Sequence, residues 1–269
     1  MKKLLFAVTL TVCFSVAITA ENPSTTPSQQ TKTTPAGKNI IYDSTSLYGA
    51  IAKSWGVEEN GKILEVGMTI PEKSIENSPE SKDTTTPYER HFLDLGKNVK
   101  NQTFFDHIEI DWNPAGHPPF VLFSAPHYDF HFFNIKRDEV DKIDCTNTKL
   151  PDSTKLPKNY KIVPPPNGEC IPKMGFHSAD ITSPELAPPP NNKPFDALMI
   201  IGYYDAKLIF EEPMITKKYL QQKKNFSLPV PSIPSTDKIS EYPSSFKASY
   251  NQKEKAWDFV WSNFRSNKK

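Results

Sequence analysis

The sequence predicts a mainly β protein: a single β-sandwich or barrel-like domain with a disulfide-closed, proline-rich loop and a C-terminal helix. Three observations favour this fold class. Apolar and polar residues alternate with a period of two over several short stretches, as in strands buried on one face. The chain has 26 prolines and 10 glycines, a balance that favours short strands and stiff loops over long helices. Two cysteines follow the leader described below, and an even number is typical of a disulfide in an oxidising compartment.

The first twenty residues have the features of a secretory leader. Two lysines precede the apolar run Leu4–Val16, which is too short to span a bilayer, and Ala20 closes a signal-peptidase site. We therefore expect residues 1–20 to be a signal peptide cleaved after Ala20, and the mature protein to be secreted or periplasmic. A lipoprotein that uses Cys13 is the weaker alternative, because a bulky valine precedes it. No later run is apolar and long enough to be a transmembrane segment.

The charge of the mature chain limits its partners. Cleavage removes two lysines and no acidic residue, so the formal net charge changes from +1 to −1. Binding to phosphate backbones needs a basic field. The sequence therefore argues against nucleic acid as the main partner.

The next predicted element is a flexible Ser/Thr/Pro spacer at residues 21–38, which has no large apolar residue. A β-rich domain that holds the histidines follows at residues 39–225. Its predicted strands lie in the segments KILEVGMTI, FFDHIEIDW, PFVLFSAPHYDFHFF, ALMIIGYY and KLIFEE. The last two flank Asp205 and Ala206, which we expect to form a hairpin turn.

Cys145 and Cys170 are the predicted disulfide pair, with the proline cluster Pro164–Pro166 between them. Closing this loop stabilises the fold by about 3 kcal/mol on a chain-entropy estimate. A pair of zinc thiolates is the weaker alternative, because the chain has no CxxC motif.

The C-terminal part changes character. Residues 226–250 are predicted to be a proline-rich connector, and residues 251–269 a C-terminal amphipathic helix. The helix is predicted because Trp257, Trp261 and Phe264, together with a valine, fall on one helical stripe. We expect that stripe to dock on its own domain; a partner-binding helix is the alternative.

The segment SAPHYDFHFF at residues 124–133 predicts the functional site. On a strand, His127, Asp129 and His131 share one face and the aromatic residues between them share the other. Neighbours on one face lie about 6.6 Å apart, and the two histidines about 13 Å apart. One metal ion can therefore take Asp129 with either histidine more easily than both histidines together.

Other polar residues complete the candidate set, because imidazoles and carboxylates are the usual ligands of transition metals. The predicted metal ligands are His127, Asp129, His131, His177 and Glu212. The residues predicted to surround them are His117, Asp180 and Glu211. The alternative is that the histidines only hydrogen-bond to neighbouring loops and strand ends. Other chemistries lack support: the chain has no GxSxG, no phosphate-binding glycine loop and no HExxH motif.

Four strings together resemble the hallmark segments of a secreted bacterial domain family of unknown function: WNPAGHPP, PHYDFHFF, MGFHSAD and FDALMIIGYYDAKLIFEEPMITKKYL. The resemblance spans roughly residues 60–220. It implies secretion and a shared histidine-rich site, with no established reaction. The chain departs from the pattern at Ser178, where the family has tryptophan, and at Ala206, where it has glycine.

Two hypotheses for the function follow. The first is an exported domain that binds a divalent transition metal, zinc first, and that acts as a metal-dependent hydrolase if it is an enzyme. The second is a non-catalytic binding or self-assembly module whose histidines are structural. A carbohydrate-binding module ranks last, since it rests only on aromatic content and export.

Overall fold

The structure is a computed structural model that describes residues 38–83, 89–163, 168–188, 191–234 and 241–266. The predicted signal peptide and nearly all of the predicted spacer lie outside these ranges. The strands are β1 (Lys38–Leu47), β2 (Ala50–Glu59), β3 (Lys62–Pro71), β4 (Glu89–Asp94), β5 (His107–Asn113), β6 (His127–Phe133), β7 (Tyr160–Val163), β8 (Cys170–Ile171), β9 (Gly175–Asp180), β10 (Ala197–Tyr204), β11 (Lys207–Thr216), β12 (Phe226–Leu228), β13 (Glu241–Tyr242), β14 (Ser245–Asn251), β15 (Ala256–Ser262) and β16 (Arg265–Ser266). Short α-helices lie between them: α1 (Glu72–Glu76), α2 (Lys97–Gln102), α3 (Phe120–Phe123), α4 (Arg137–Val140) and α5 (Lys217–Leu220).

The strands form two main antiparallel sheets. The first has the order β1-β2-β3-β15-β14-β12, and the second has the order β4-β5-β6-β11-β10-β9-β7, with β8 also paired to β9. The small strands β13 and β16 pair with each other. The arrangement is sandwich-like, as the sequence predicts, and the sheets do not close into a barrel within the described ranges.

An apolar layer joins the two sheets. Phe130 of β6 lies 4.8 Å from Phe259 of β15 between ring centroids, and Phe132 lies 5.5 Å from Trp261. All four side chains are at most 1% exposed. Burial of such large aromatic groups supplies most of the favourable free energy that holds two sheets face to face.

The eight-stranded sheet is also covered on its other face. A second apolar cluster combines Phe133 and Met214 of the sheet with Phe123, Ile143 and Phe195 from the connecting segments. Every residue of β5 and β6 is therefore buried. Polar side chains on the covered face are enclosed between the sheet and the connecting segments.

The disulfide is confirmed. Cys145 and Cys170 are bonded across a Cα–Cα distance of 5.6 Å. The bridge joins the segment that follows α4 to β8 at the edge of the eight-stranded sheet.

The predicted C-terminal helix is wrong. Residues Ala256–Ser262 form β15, which pairs with β3 and β14 inside the first sheet. Trp257 and Trp261 fit a helical stripe, but they also fit a period of two together with Phe259, and all three face the core. Aromatic residues favour strands, and pairing with the neighbouring strands β3 and β14 stabilises the strand over a helix.

Two further predictions need correction. The segment 226–250 is not only a connector, because it contributes β12 and β14 to the first sheet. The stretch Phe120–Phe123, predicted as a strand, forms the short helix α3. It lies between Pro119 and the turn before β6.

The hairpin between β10 and β11 forms as predicted, and its turn puts a non-glycine residue under strain. Asp205 and Ala206 have φ of 49° and 61°, the left-handed region that a tight hairpin turn requires. A β-carbon is unfavourable there, whereas glycine adopts such angles readily.

We therefore expect Ala206→Gly to raise the free energy of unfolding by about 0.5–1 kcal/mol. Ala197→Gly, in the extended part of the same hairpin, is the control and should lower it by a similar amount. Urea unfolding curves measure both changes. A decrease for Ala206→Gly as large as that for Ala197→Gly would contradict the argument.

Candidate metal centre

Strand β6 presents the predicted polar face. His127, Asp129 and His131 point to the covered face of the eight-stranded sheet, and the aromatic residues between them point into the core between the sheets. The two imidazoles are 0% exposed and the aspartate is 4% exposed. Because buried polar atoms need partners, whatever surrounds this face must satisfy them.

Strand β5 runs beside β6 with its own polar face in register. Asn113 pairs with His127, Asp111 with Asp129, and Glu109 with His131. None of these three β5 residues is in the sequence-based candidate set, although the alternation in FFDHIEIDW places Glu109 and Asp111 on one face. The sequence lacked the information that β5 and β6 are adjacent in this register.

His117, His127 and Asp129 form a first group. The Nε2 atom of His117 lies 3.4 Å from Oδ2 of Asp129, and Nε2 of His127 lies 3.3 Å from Oδ1. One ligand atom from each residue lies within 4.8 Å of the other two. Asn113 Nδ2 donates a hydrogen bond of 2.8 Å to Oδ2 and holds the carboxylate in place.

Backbone carbonyls orient both imidazoles of this group. Nδ1 of His117 lies 2.8 Å from the oxygen of Pro118, and Nδ1 of His127 lies 2.7 Å from the oxygen of Ala125. A carbonyl oxygen only accepts hydrogen bonds, so each Nδ1 carries the proton and donates it. In the neutral imidazoles, both Nε2 lone pairs then face the Asp129 carboxylate.

The loop that carries His117 depends on a glycine. Gly116 has φ of 70°, and a β-carbon there would lie 2.1 Å from the carbonyl oxygen of Phe123. That same carbonyl accepts a hydrogen bond from the backbone N–H of His117. The tight return of this loop, which connects β5 to β6, therefore brings His117 to Asp129.

His131, His177 and Glu212 form a second group. Nε2 of His131 lies 3.7 Å from Oε1 of Glu212, and Nε2 of His177 lies 3.7 Å from Oε2. The three ligand atoms lie within 4.8 Å of one another. They come from β6, β9 and β11, so the fold brings together three of the predicted ligands that are distant in sequence.

The buried face is rich in carboxylates. Glu109, Asp111, Asp129 and Glu212 are each at most 4% exposed. Arg90 forms a bidentate pair with Glu109, and burial nevertheless raises the pKa of Glu109 to about 7. Burial, together with neighbouring carboxylates, raises the pKa values of Asp111 and Glu212 well above their usual range.

In the first group, the neighbouring charges outweigh the effect of burial on the pKa values. Burial acts to raise the pKa of Asp129, but the two facing imidazoles outweigh it and hold this pKa far below its usual range. Burial acts to lower the pKa of His117, but Asp129 outweighs it and raises the pKa. In the second group, burial lowers the pKa of His131, and of His177 to about 3, so both imidazoles stay neutral.

Two of the predicted residues lie apart from both groups. Asp180 accepts hydrogen bonds from the backbone and hydroxyl of Thr182 at the end of β9. Glu211 faces the core between the sheets and is 0% exposed.

Ser178, where the resembled family has tryptophan, also faces that core. Its hydroxyl donates a hydrogen bond to the backbone oxygen of Ile201. The difference at this position therefore alters the core and not the wall of the site.

These features define a class of protein: a mainly β, sandwich-like domain that buries histidine and carboxylate groups on one face of a sheet. The family model described as "TTHB210-like: Hypothetical protein TTHB210" matches residues 59–112. This segment includes Glu109 and Asp111, and it ends where the motifs of the predicted resemblance begin. No curated protein and no solved structure matches the chain. The chain is thus similar, over that segment, to an uncharacterised family whose description states no function.

The search for membrane-spanning helices among the described residues found none that is long and apolar enough.

Glu211 gives a prediction that is independent of any metal. Neither of its carboxylate oxygens has a hydrogen-bond partner among the described residues. Burial raises its pKa well above the usual value, and burial together with the nearby Glu211 charge raises the pKa values of Tyr160 and Tyr203. The neutral acid is therefore favoured in the folded state.

We expect Glu211→Gln to be more stable than the native protein at about pH 8, and the difference to vanish near about pH 4. As pH rises through the unfolded pKa, the unfolded chain releases the Glu211 proton while the folded chain retains it, so the native protein loses stability. The amide cannot ionise and escapes this loss. Urea unfolding at both pH values measures it, with the exposed Glu80→Gln as control; a pH-independent difference would contradict the argument.

Proposed function

We propose that the protein binds a divalent transition metal ion, with zinc the first choice, at His117, His127 and Asp129. The observation that carries the proposal is the orientation of the two imidazoles. Both are held by backbone carbonyls through Nδ1, so both Nε2 lone pairs converge on a carboxylate that also only accepts. Three acceptors that face one another attract a cation, which is either a proton on an imidazole or a metal ion.

The geometry favours a metal ion over two protons in this position. Protonation of both histidines would place two buried positive charges beside each other, with their ring centroids 4.7 Å apart. A divalent ion is attracted by the same carboxylate and leaves both imidazoles neutral. Two histidines and one carboxylate are a ligand set typical of catalytic zinc.

Hydrolysis is the reaction class that we propose for this centre. Three protein ligands leave a fourth position for water, and zinc-bound water ionises near neutral pH. His117 is 31% exposed while the other two side chains are nearly enclosed, so solvent and substrate reach the group from the side of His117. Export to an oxidising compartment is part of the proposal and is supported by the disulfide.

The alternative, a non-catalytic binding or self-assembly module, stays a prediction. One observation favours it: Phe120 and Val121, in the helix that follows His117, are 39% and 69% exposed.

The first test is zinc binding. Zinc at about 100 times its Kd should raise the free energy of unfolding by about 2.7 kcal/mol, because it binds the folded state. His117→Ala should abolish the stabilisation that comes from zinc bound at His117, His127 and Asp129. His91→Ala, which changes a histidine outside both groups, is the matched control and should respond as the native protein does.

Thermal unfolding with zinc and after chelation, together with elemental analysis of dialysed protein, measures this binding. Equal zinc content in native protein and in His117→Ala would contradict the proposal for this group.

The second test is activity. Zinc-loaded protein should hydrolyse one class among carboxylic esters, phosphoesters and peptides, and His117→Ala should reduce the rate by at least about 100-fold, the scale on which a weakened metal ligand set acts. Chromogenic esters and phosphoesters and a labelled peptide mixture serve as substrates. Loss of metal from His117→Ala with no hydrolysis by the native protein would confine the function to metal binding.

A further inference from the structure

The second group has features that the proposed function does not use. His131 and Glu212 are 0% and 1% exposed, so they are more deeply buried than His117, the most exposed residue of the first group. Within the described part of the chain, Nε2 of His131 and Oε2 of Glu212 have no hydrogen-bond partner. Buried polar atoms without partners destabilise a fold, because they lose their hydrogen bonds to water and gain none in return. Two such atoms directed to one point, beside the Nε2 of His177, indicate a missing ligand.

Asp111 lies beside the other ring nitrogen of His131. Its Oδ2 lies 3.1 Å from Nδ1 of His131, an ion-pair contact without hydrogen-bond geometry, and the carboxylate is 0% exposed. A carboxylate beside one nitrogen of an imidazole directs the proton to that nitrogen and leaves the other as a metal ligand. Nε2 of His131 is then an acceptor that faces the Glu212 carboxylate, which also accepts.

The wall around the second group is rigid and apolar. The ring of Phe210 lies 4.7 Å from His131 and 5.3 Å from His177 between centroids, and both pairs are edge-on. Gly202 makes room for that ring, since a β-carbon there would lie 2.0 Å from it. The two imidazoles are thus held in fixed positions by packing before any ligand binds.

Burial without an ion favours the neutral acids of Asp111 and Glu212, but when ionised the carboxylates of this face exceed what one divalent ion balances. Glu109 is paired with Arg90, which leaves the carboxylates of Asp111, Asp129 and Glu212. Asp111 and Asp129 lie directly opposite each other on neighbouring strands, an arrangement that is unfavourable for two like charges. One divalent ion leaves a net negative charge on three ionised carboxylates, whereas two divalent ions balance those three carboxylates and one metal-bound hydroxide.

We propose that His131, His177 and Glu212 bind a second divalent transition metal ion, so that the same face of the sheet holds two metal positions. The proposal rests on the metal binding proposed for the first group and extends it. A second ion on this face would add positive charge near the first position and would favour the binding of an anionic substrate group.

The experiment compares zinc stoichiometry in six forms of the full chain that have been stripped by chelator and then dialysed against zinc. The native protein should retain two equivalents. His177→Ala and His117→Ala should each retain one, and the double variant none. His91→Ala should retain two. Because His177 is packed against Phe210, His177→Gln is included to preserve volume, and circular dichroism verifies that each variant folds.

Anomalous diffraction at the zinc edge locates the ions independently of stoichiometry. Two peaks, one beside His117 and His127 and one beside His131 and His177, are expected. One equivalent in the native protein that is retained by both His177 variants and lost from His117→Ala would overturn the second position and leave the first intact. One equivalent that is lost from the His177 variants and retained by His117→Ala would overturn the first position instead. No zinc in any form would overturn both.

Discussion

The alternation of strand β6 is the constraint on which the rest of the structure depends. This strand lies inside a sheet that is covered on both sides, so each of its faces packs against a different layer of the structure. The aromatic face fills the core against β15, and the polar face supplies side chains to both histidine groups. A slip of one residue in its pairing would exchange the two faces. It would place three polar side chains in the aromatic core, which explains why the register with β5 is continuous over the whole strand.

Much of this arrangement could be predicted from local pattern. The period of two in β5 and β6 identifies both strands and their faces, and the turn at Asp205–Ala206 follows from its position between two apolar runs. The same kind of pattern misleads at β15. Its tryptophans at positions i and i+4 satisfy a helix and a strand equally, and only the partners β3 and β14, which are distant in sequence, resolve the ambiguity. Local periodicity does not contain that information.

The candidate site was predicted in part, for a related reason. The spacing argument is that one ion takes Asp129 with either histidine more easily than both, and the structure has His127 and His131 in different groups. Asp129 joins His127, while His131 lies beside Glu212 instead. The contribution of His117 depends on how its loop returns at Gly116, and that of Asp111 depends on strand pairing. Both are long-range facts, whereas the individual residue types were visible in the sequence.

The disulfide has a mechanical consequence. Cys145 and Cys170 are separated by 25 positions, and the closed loop contains β7, the edge strand that pairs with β9 beside His177. A chain pulled from its two ends cannot extend through this loop while the bridge is intact, which shortens its stretched length by about 85 Å at about 3.4 Å per residue. Tension applied at the ends therefore bypasses β7 and is carried into the eight-stranded sheet at β8, next to the strand that bears His177.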